Sequence, residues 1–425
     1  MFISDEEKKM LNGEEGPGIQ RSIQMLVTLA EAFDADRLSI AKRVHIHCAV
    51  PYDMLVELTE GAKQSKAYAT THAHFDPNAL DPEGCKRIGI PEVYDNYEYI
   101  HAGMPPSKLE EIYRRLGYFL TYTCTPFFIG NIAAQGEVIS YGGTSGSVIA
   151  NSLYGAYGNR DSIPVNVATS VTGRFPHAGY AVKENRYAQV LIEPEGLDFN
   201  NFTNQDYGAY AYYAGGVAQN KVLAFNEFPE SLTLEQFRFI ASPLTALGSV
   251  GLCHVIGITP EAPSLEVAFG SRKPQITAKV GKAEVKQAMD LLNTADSDDV
   301  DLVTFGCPHC SIIEIRDIAM LLEGKKASSN VRLLIGVAKA IYDLAEQMGY
   351  VDIIKKAGGV FTSCCVGSQN PFNLLGPDLR VRTAAVDSVR AAHYMSRNSL
   401  DKIKICYGNT DQCVDAAITG KWRAK

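Results

Sequence analysis

Three short cysteine-bearing stretches of this chain could do chemistry together. Cys307 and Cys310 flank a proline and a histidine in Phe305-Gly-Cys-Pro-His-Cys-Ser311, and the other two are Thr123-Cys-Thr-Pro126 and Phe361-Thr-Ser-Cys-Cys365. A glycine before Cys307 permits a sharp backbone turn at a strand end, and the proline stops that turn from pairing onward. The pattern predicts thiols at the mouth of a sheet, within reach of a metal, and three thiolates converging on one site. Several readings stand on chemistry alone. Cys307 and Cys310 with Cys364 and Cys365 could hold zinc, although adjacent cysteines make a poor second knuckle. Cys307 and His309 could act as nucleophile and base, without an orienting partner. Three distant thiolates that leave a fourth position open suit an iron–sulfur cluster with an iron free to act as a Lewis acid. Purely structural thiols are the remaining alternative.

Other polar groups could serve such a site. His45 and His47 alternate on a strand-like run, and His72 and His74 repeat that spacing with Asp76 just beyond. Each pair faces one side, as zinc ligands or as a polar strand edge. Ser140-Tyr-Gly-Gly-Thr-Ser-Gly-Ser147 precedes the run Val148-Ile-Ala-Asn-Ser152. A Gly/Ser loop opening a helix presents free N–H groups to an anion, or simply makes a tight crossing. Arg160 and Arg174 stand in weakly charged surroundings, where a substrate carboxylate is one candidate partner. Arg390, His393 and Tyr394 fall at i, i+3 and i+4 on a predicted helix, so all three could reach one pocket or form a solvated face.

The elements that would position these groups alternate. Helical spacing marks 19–33, 284–292, a helix from about Ile312, 331–348 and 381–398, while strand-like runs lead to Cys124 (Tyr118 to Tyr122), Cys307 (Val300 to Phe305) and Cys364 (Val360-Phe361). Residues 200–235, rich in Asn, Tyr and Gly, show no periodicity and read as an irregular lobe. Repeated strand–loop–helix order predicts an α/β protein with mostly parallel sheets and its site at the strand C-terminal ends. At 425 residues, more than one core is expected. The lobes are drawn at 1–200 (α/β, with Cys124 and the Gly/Ser loop), 201–290 (irregular and small-apolar) and 291–425 (α/β, with Cys307 and Cys364/Cys365).

A net charge of −8 argues against a nucleic-acid surface. The stretches 116–135, 139–159 and 239–260 lack charged residues but are broken by Gly, Pro, Ser, Thr or Asn, so no membrane span is expected. Ten cysteines with no secretory pattern predict a reducing, cytoplasmic setting in which thiols serve metals or catalysis.

With these residues in view, the chain resembles the large, catalytic subunit of the aconitase X family, an outlying branch of the aconitase superfamily, along nearly its whole length. The motifs that carry the resemblance include Leu11-Asn-Gly-Glu-Glu-Gly16, Thr70-Thr71, Cys124-Thr-Pro126, Ala150-Asn-Ser152, Asn159-Arg160 and Thr172-Gly-Arg174. They continue with Gly257-Ile-Thr-Pro-Glu-Ala262, Gly306-Cys-Pro-His309, Ala391-Ala-His-Tyr394 and Ala416-Ala-Ile-Thr-Gly420. The pair Gly306-Cys-Pro-His309 and Cys124-Thr-Pro126 is specific; each glycine-rich piece alone is not.

The resemblance implies an aconitase-like, multi-lobed hydro-lyase carrying an iron–sulfur cluster, anywhere from 2Fe–2S to 4Fe–4S, and a separate small swivelling subunit that completes the active site. It implies cluster ligands at Cys124, Cys307 and one of the last pair, with the spacing from Thr362 favouring Cys365. It implies substrate contacts from Thr70, Thr71, Asn151, Ser152, Asn159, Arg160, Arg174 and Arg390, with Ser388 and His393 handling protons or orienting the substrate. Family members dehydrate cis-3-hydroxy-L-proline, the expected substrate type here, or mevalonate 5-phosphate, the alternative. The chain departs from the family pattern where Gly143 replaces an acidic residue, where Tyr157-Gly158 precedes Asn159, and where Arg390 replaces a lysine. Those departures also admit a divergent, non-catalytic iron–sulfur subunit.

Overall fold

The computed structural model describes residues 1–47, 50–73, 76–90, 106–367, 381–398 and 403–423. Its framework is three parallel sheets. In the N-terminal part, Arg43–Ile46 lies between Tyr68–Thr71 and Ile139–Tyr141. A short antiparallel pair, Leu38–Ile40 with Arg174–Pro176, stands apart from it. A four-stranded sheet follows in the order Cys253–Val255, Leu223–Phe225, Val190–Glu195, Ile276–Gly281. The C-terminal sheet has five strands, in the order Val360–Thr362, Arg332–Val337, Leu302–Cys310, Thr383–Val386, Lys404–Tyr407. The mostly parallel α/β architecture is therefore as the sequence predicts. Strands covered on both faces become continuous apolar runs, and every residue of Leu302–Cys310 is buried.

The lobe expected to be irregular contains two 15-residue helices, Asn204–Ala218 and Leu234–Gly248, that pack on one another. Capping boxes start both: Thr203 with Asp206, and Thr233 with Gln236. The first helix buries Tyr207, Tyr210 and Tyr212 together with Ala209, Ala211 and Ala214. A helix enclosed on nearly all sides carries no amphipathic stripe, so its period is invisible in the sequence.

Three local expectations change. The run 331–348, expected as one helix, is the buried strand Arg332–Val337 followed by the helix Lys339–Gln347. The strand through Phe305 does not end at the cysteine turn: the register passes from Phe305 opposite Ile335 to Cys310 opposite Val337, and pairing resumes beyond Pro308. Gly306 to His309 are thereby extruded as a bulge, which re-aims side chains without ending the strand. The run Tyr118 to Tyr122 forms no regular strand; Phe119 makes a single bridge to Thr70, and Tyr122 has a positive φ of 41°.

Among the described residues, no helix is long and apolar enough to cross a membrane.

Candidate active site

The C-terminal ends of two parallel sheets deliver the polar groups to one cavity of about 160 Å³. From the N-terminal sheet come His47, His72 and Gly142, each one residue past its strand. The C-terminal sheet supplies Cys307 from its bulge, Cys365 beyond Val360–Thr362, and Arg390 and Tyr394 beyond Thr383–Val386. Cys124 joins them from the loop before the turn Pro126–Ile129. Ligand sites in parallel sheets form beyond the strand carboxyl ends, and here two such edges face each other.

The cysteine turns are held by backbone contacts. Gly306 has φ 96°, and a Cβ there would fall 2.1 Å from the carbonyl oxygen of Gly336, so only glycine fits before Cys307. The hydroxyl of Ser388 donates to the carbonyl of Cys307 and accepts the N–H of Ala391 at 3.3 Å. Sγ of Cys124 accepts the N–H of His309 at 3.1 Å, while the His309 ring donates from Nε2 to the carbonyl of Cys364 at 3.1 Å. Thr362 Oγ1 accepts the N–H of Cys364 at 3.0 Å. Cys364 is buried behind the cavity that Cys365 lines, and Cys310 packs into the apolar cluster on the far side of its strand. Cys307 and Cys310 therefore face apart and do not form one metal knuckle.

Burial pushes the Cys124 thiol up to about 12 and raises Cys307 well above the usual thiol value, and the charge of a neighbouring Cys365 adds to both. Arg390 opposes this rise in both thiols. Among the described residues, no three or more His, Cys, Asp or Glu side chains converge as ligands of a single metal ion.

Opposite the thiols, the cavity wall is imidazole. The rings of His47 and His72 stack with centroids 5.1 Å apart, and His45 lies 5.5 Å from His72. Burial lowers His47 to about 4 with help from Arg390, and lowers His72 well below its usual value with help from the neighbouring histidines, so both are neutral at pH 7. His45 is fully buried and structural: Nε2 donates to the carbonyl of Thr123 at 2.9 Å, and Nδ1 accepts from Thr70 at 2.7 Å. The sequence pairs His45 with His47 and His72 with His74, but in the fold His47 from one strand end meets His72 from the next in the cavity. His74 lies outside the described residues.

An anion-binding corner completes the site. The helix Thr144–Leu153 starts at the cavity from Gly143, which provides no side-chain cap, and turns its positive dipole end towards it. A Cβ on Gly143 would lie 2.8 Å from the His72 ring, which leaves no room for a larger residue there. Nη1 of Arg390 donates to Oγ of Ser145 at 2.6 Å and lies 3.4 Å from Oγ1 of Thr245, and the guanidinium sits 5.2 Å from the centre of the Tyr394 ring.

Of the expected site residues, Cys124, Cys307, Cys365 and Arg390 line the cavity together. The others take structural partners. His393 shares a 2.9 Å hydrogen bond with the Tyr212 hydroxyl, and Tyr394, one residue on, reaches the cavity instead. Thr70 accepts from Asn131 at 2.8 Å, and Thr71 Oγ1 accepts the N–H groups of Thr121 and Tyr122 at 3.0 and 3.2 Å. Asn151 donates to the carbonyls of Gly158 and Gly251, and Ser152 accepts the N–H of Cys253. Asn159 bridges Ala178 and Tyr180, and exposed Arg160 donates to the carbonyl of Ser249. Arg174 is buried and ion-paired with Glu6 and Glu7. Sequence spacing marks His47 and His72 only as members of strand pairs and Ser145 only as part of a Gly/Ser loop; that the three meet in one cavity is decided by the fold.

Comparison with known proteins places this geometry. Family models described as the aconitase X first, second and third domains match residues 1–184, 188–290 and 300–419. The chain is 30% identical over 420 residues to the phosphomevalonate dehydratase large subunit of Methanocaldococcus jannaschii, covering 97% of this chain and 99% of that one. It is 28% identical over 422 residues to the cis-3-hydroxy-L-proline dehydratase of Pseudomonas aeruginosa, covering 98% of this chain and 70% of the relative. The crystal structure of Thermococcus kodakaraensis aconitase X in its holo-form superposes with a TM-score of 0.80 at 25% identity, covering 98% of this chain and 100% of that one. Three domain matches in order, full-length relatives and a shared fold agree: the chain belongs to the aconitase X family of dehydratases.

Proposed function

We propose that this chain is the large subunit of an iron–sulfur dehydratase that removes water from a small hydroxy acid of the cis-3-hydroxy-L-proline type. The observation that carries the reading is that Cys124, Cys307 and Cys365 line one cavity together with Arg390 and the start of the helix Thr144–Leu153. The donor set suits the cofactor. Three thiols without a carboxylate among them favour a soft metal centre, and thiols that share a cavity without converging on one ion suit a cluster whose thiolates each take a different iron. Cysteines raised by burial and by one another ionise when a cationic centre compensates them. Such a cluster, from 2Fe–2S to 4Fe–4S, supplies a Lewis acid for the departing hydroxyl when bound.

The chain's own residues then bind and orient. Arg390 and the N–H groups of the helix start hold the substrate carboxylate, and the neutral rings of His47 and His72 form the wall beside it. The described lining contains one charged side chain besides the thiols, Arg390, which suits a substrate with a single anionic group. A second reading, mevalonate 5-phosphate, draws on the large-subunit relatives matched over nearly their whole length. The base that takes the proton is assigned to a separate small subunit, in line with the "large subunit" names of those relatives. The nine described cysteines form no disulfide with one another, which suits a reducing cytoplasm.

The test is anaerobic purification with a co-expressed small subunit, followed by iron, sulfide and zinc analysis and assay of both substrates. Iron and sulfide in near-equal amounts, with turnover of cis-3-hydroxy-L-proline, is the expected result. Zinc in their place, or turnover of mevalonate 5-phosphate alone, would overturn the reading of the cofactor or of the substrate respectively.

A further inference from the structure

Behind the cysteine bulge lies a buried cation that neither the binding of substrate nor the ligand set uses. Arg238, on the helix Leu234–Gly248, is 2% exposed. Its Nη1 donates to the carbonyl of Pro308 at 2.8 Å and to that of His309 at 3.2 Å. Its Nη2 pairs with Glu314, whose carboxylate also accepts the N–H of Ser311 at 2.8 Å in the capping box of the helix Ile312–Leu322. A small cavity separates Arg238 from Cys307 and is also lined by Ser388 and Arg390. A guanidinium taken fully out of water is costly, and one carboxylate repays that cost only in good geometry. This one is spent on the two carbonyls that follow Cys307.

We propose that Arg238 is the positioning residue of the cysteine site: it clamps the extruded Cys307-Pro308-His309 segment and places a fixed positive charge beneath the thiols. The clamp acts on all three cysteine segments, because the same His309 donates its N–H to Cys124 and its ring Nε2–H to the carbonyl of Cys364. Arg238 and Cys307 line the same small cavity, which brings the fixed charge next to the cysteine segment. A middle-lobe helix thus sets the electrostatics of a centre whose candidate ligands all come from the other lobes.

The inference rests on the cluster reading, and its test separates the two. The proteins are wild type, Arg238→Lys, and the double variant Arg238→Met/Glu314→Gln, which removes both charges without stranding either one in the interior. Each is purified anaerobically with the small subunit, and iron, sulfide and midpoint potential are measured. Expected are faster iron loss and a more negative potential in the double variant, with Arg238→Lys retaining most of the wild-type potential. Equal potentials and equal iron retention in all three would overturn the proposal. If wild type binds no iron or sulfide, the cluster reading fails by itself, and the clamp is then read in metal-free protein from hydrogen exchange of the His309 amide, followed by mass spectrometry. Loss of hydrogen bonds from a charged donor should speed that exchange roughly tenfold in the double variant, and an unchanged rate overturns the clamp.

Discussion

The backbone N–H of His309 meets Sγ of Cys124 at 3.1 Å, across 185 positions of sequence. The ring of the same residue points the other way, to the carbonyl of Cys364 at 3.1 Å. One residue, immediately after Cys307-Pro308, therefore ties all three cysteine segments into one unit. Burial lowers His309 to about 4, so its ring is neutral at physiological pH and keeps one N–H for the Cys364 carbonyl. The cysteine site is preorganised by hydrogen bonds of its own.

Close packing around Cys307 makes Gly367 sensitive. A Cβ at that position would lie 2.3 Å from Sγ of Cys307, so Gly367→Ala must displace the thiol. The expected outcome is a several-fold fall in bound iron and sulfide with an overpacking cost of about 1–3 kcal/mol. Metal analysis beside denaturant unfolding checks it; full iron content in the variant would mean that Cys307 is not a ligand.

Arg390 is the candidate carboxylate anchor, and its fork is already oriented by Ser145. Lysine keeps the charge but loses the planar, multi-donor geometry. Arg390→Lys should raise KM by roughly 10- to 100-fold, the worth of a hydrogen bond to a charged group, with a smaller effect on kcat. Steady-state kinetics distinguish this from an equal fall in both constants, which would place Arg390 in the chemical step.

Arg174 is expected to matter for stability and not for substrate. Its side chain and that of Glu7 are 8% and 6% exposed, and Nε donates to the carboxylate at 2.8 Å. Removing one partner leaves the other buried and uncompensated, so Arg174→Met should cost about 3–5 kcal/mol. Unfolding curves read the loss, and KM of the remaining folded enzyme should stay at the wild-type value.

Asp387 predicts a pH dependence. Burial, followed by the nearby charge of Glu314, raises its carboxyl from 3.8 to about 7. The folded state therefore holds this proton more tightly than the unfolded chain does. Stability should fall as pH rises from about 4 to 7, by up to about 4 kcal/mol from this one group. Asp387→Asn should flatten that slope and be the more stable protein at pH 8. Denaturant unfolding at pH 5 and pH 8 tests it, and a variant less stable at pH 8 would show that Arg238 outweighs burial at this carboxylate.

The sequence by itself determined the class of fold and the location of the metal-binding candidates. Alternating strand–loop–helix order is a local signal, and so is a cysteine beside glycine or proline at the end of an apolar run. The first survives in the parallel sheets; the second leads to the cavity at their C-terminal ends, although the strand through Phe305 runs on past Cys307 and the run before Cys124 forms no regular strand. Orientation was decided only by the tertiary structure. Cys307 and Cys310 look like a pair in one dimension, but the bulge between Phe305 and Cys310 turns one to the cavity and the other to the opposite core. His47 and His72 become neighbours because two parallel strands end side by side, a relationship that no spacing within either strand encodes. Arg174, Arg238 and Arg390 are alike as residues, yet the groups packed around them make the first a stability ion pair, the second a clamp on carbonyls, and the third a lining of the cavity. A buried charge takes its role from its partners, and those partners arrive from distant parts of the chain.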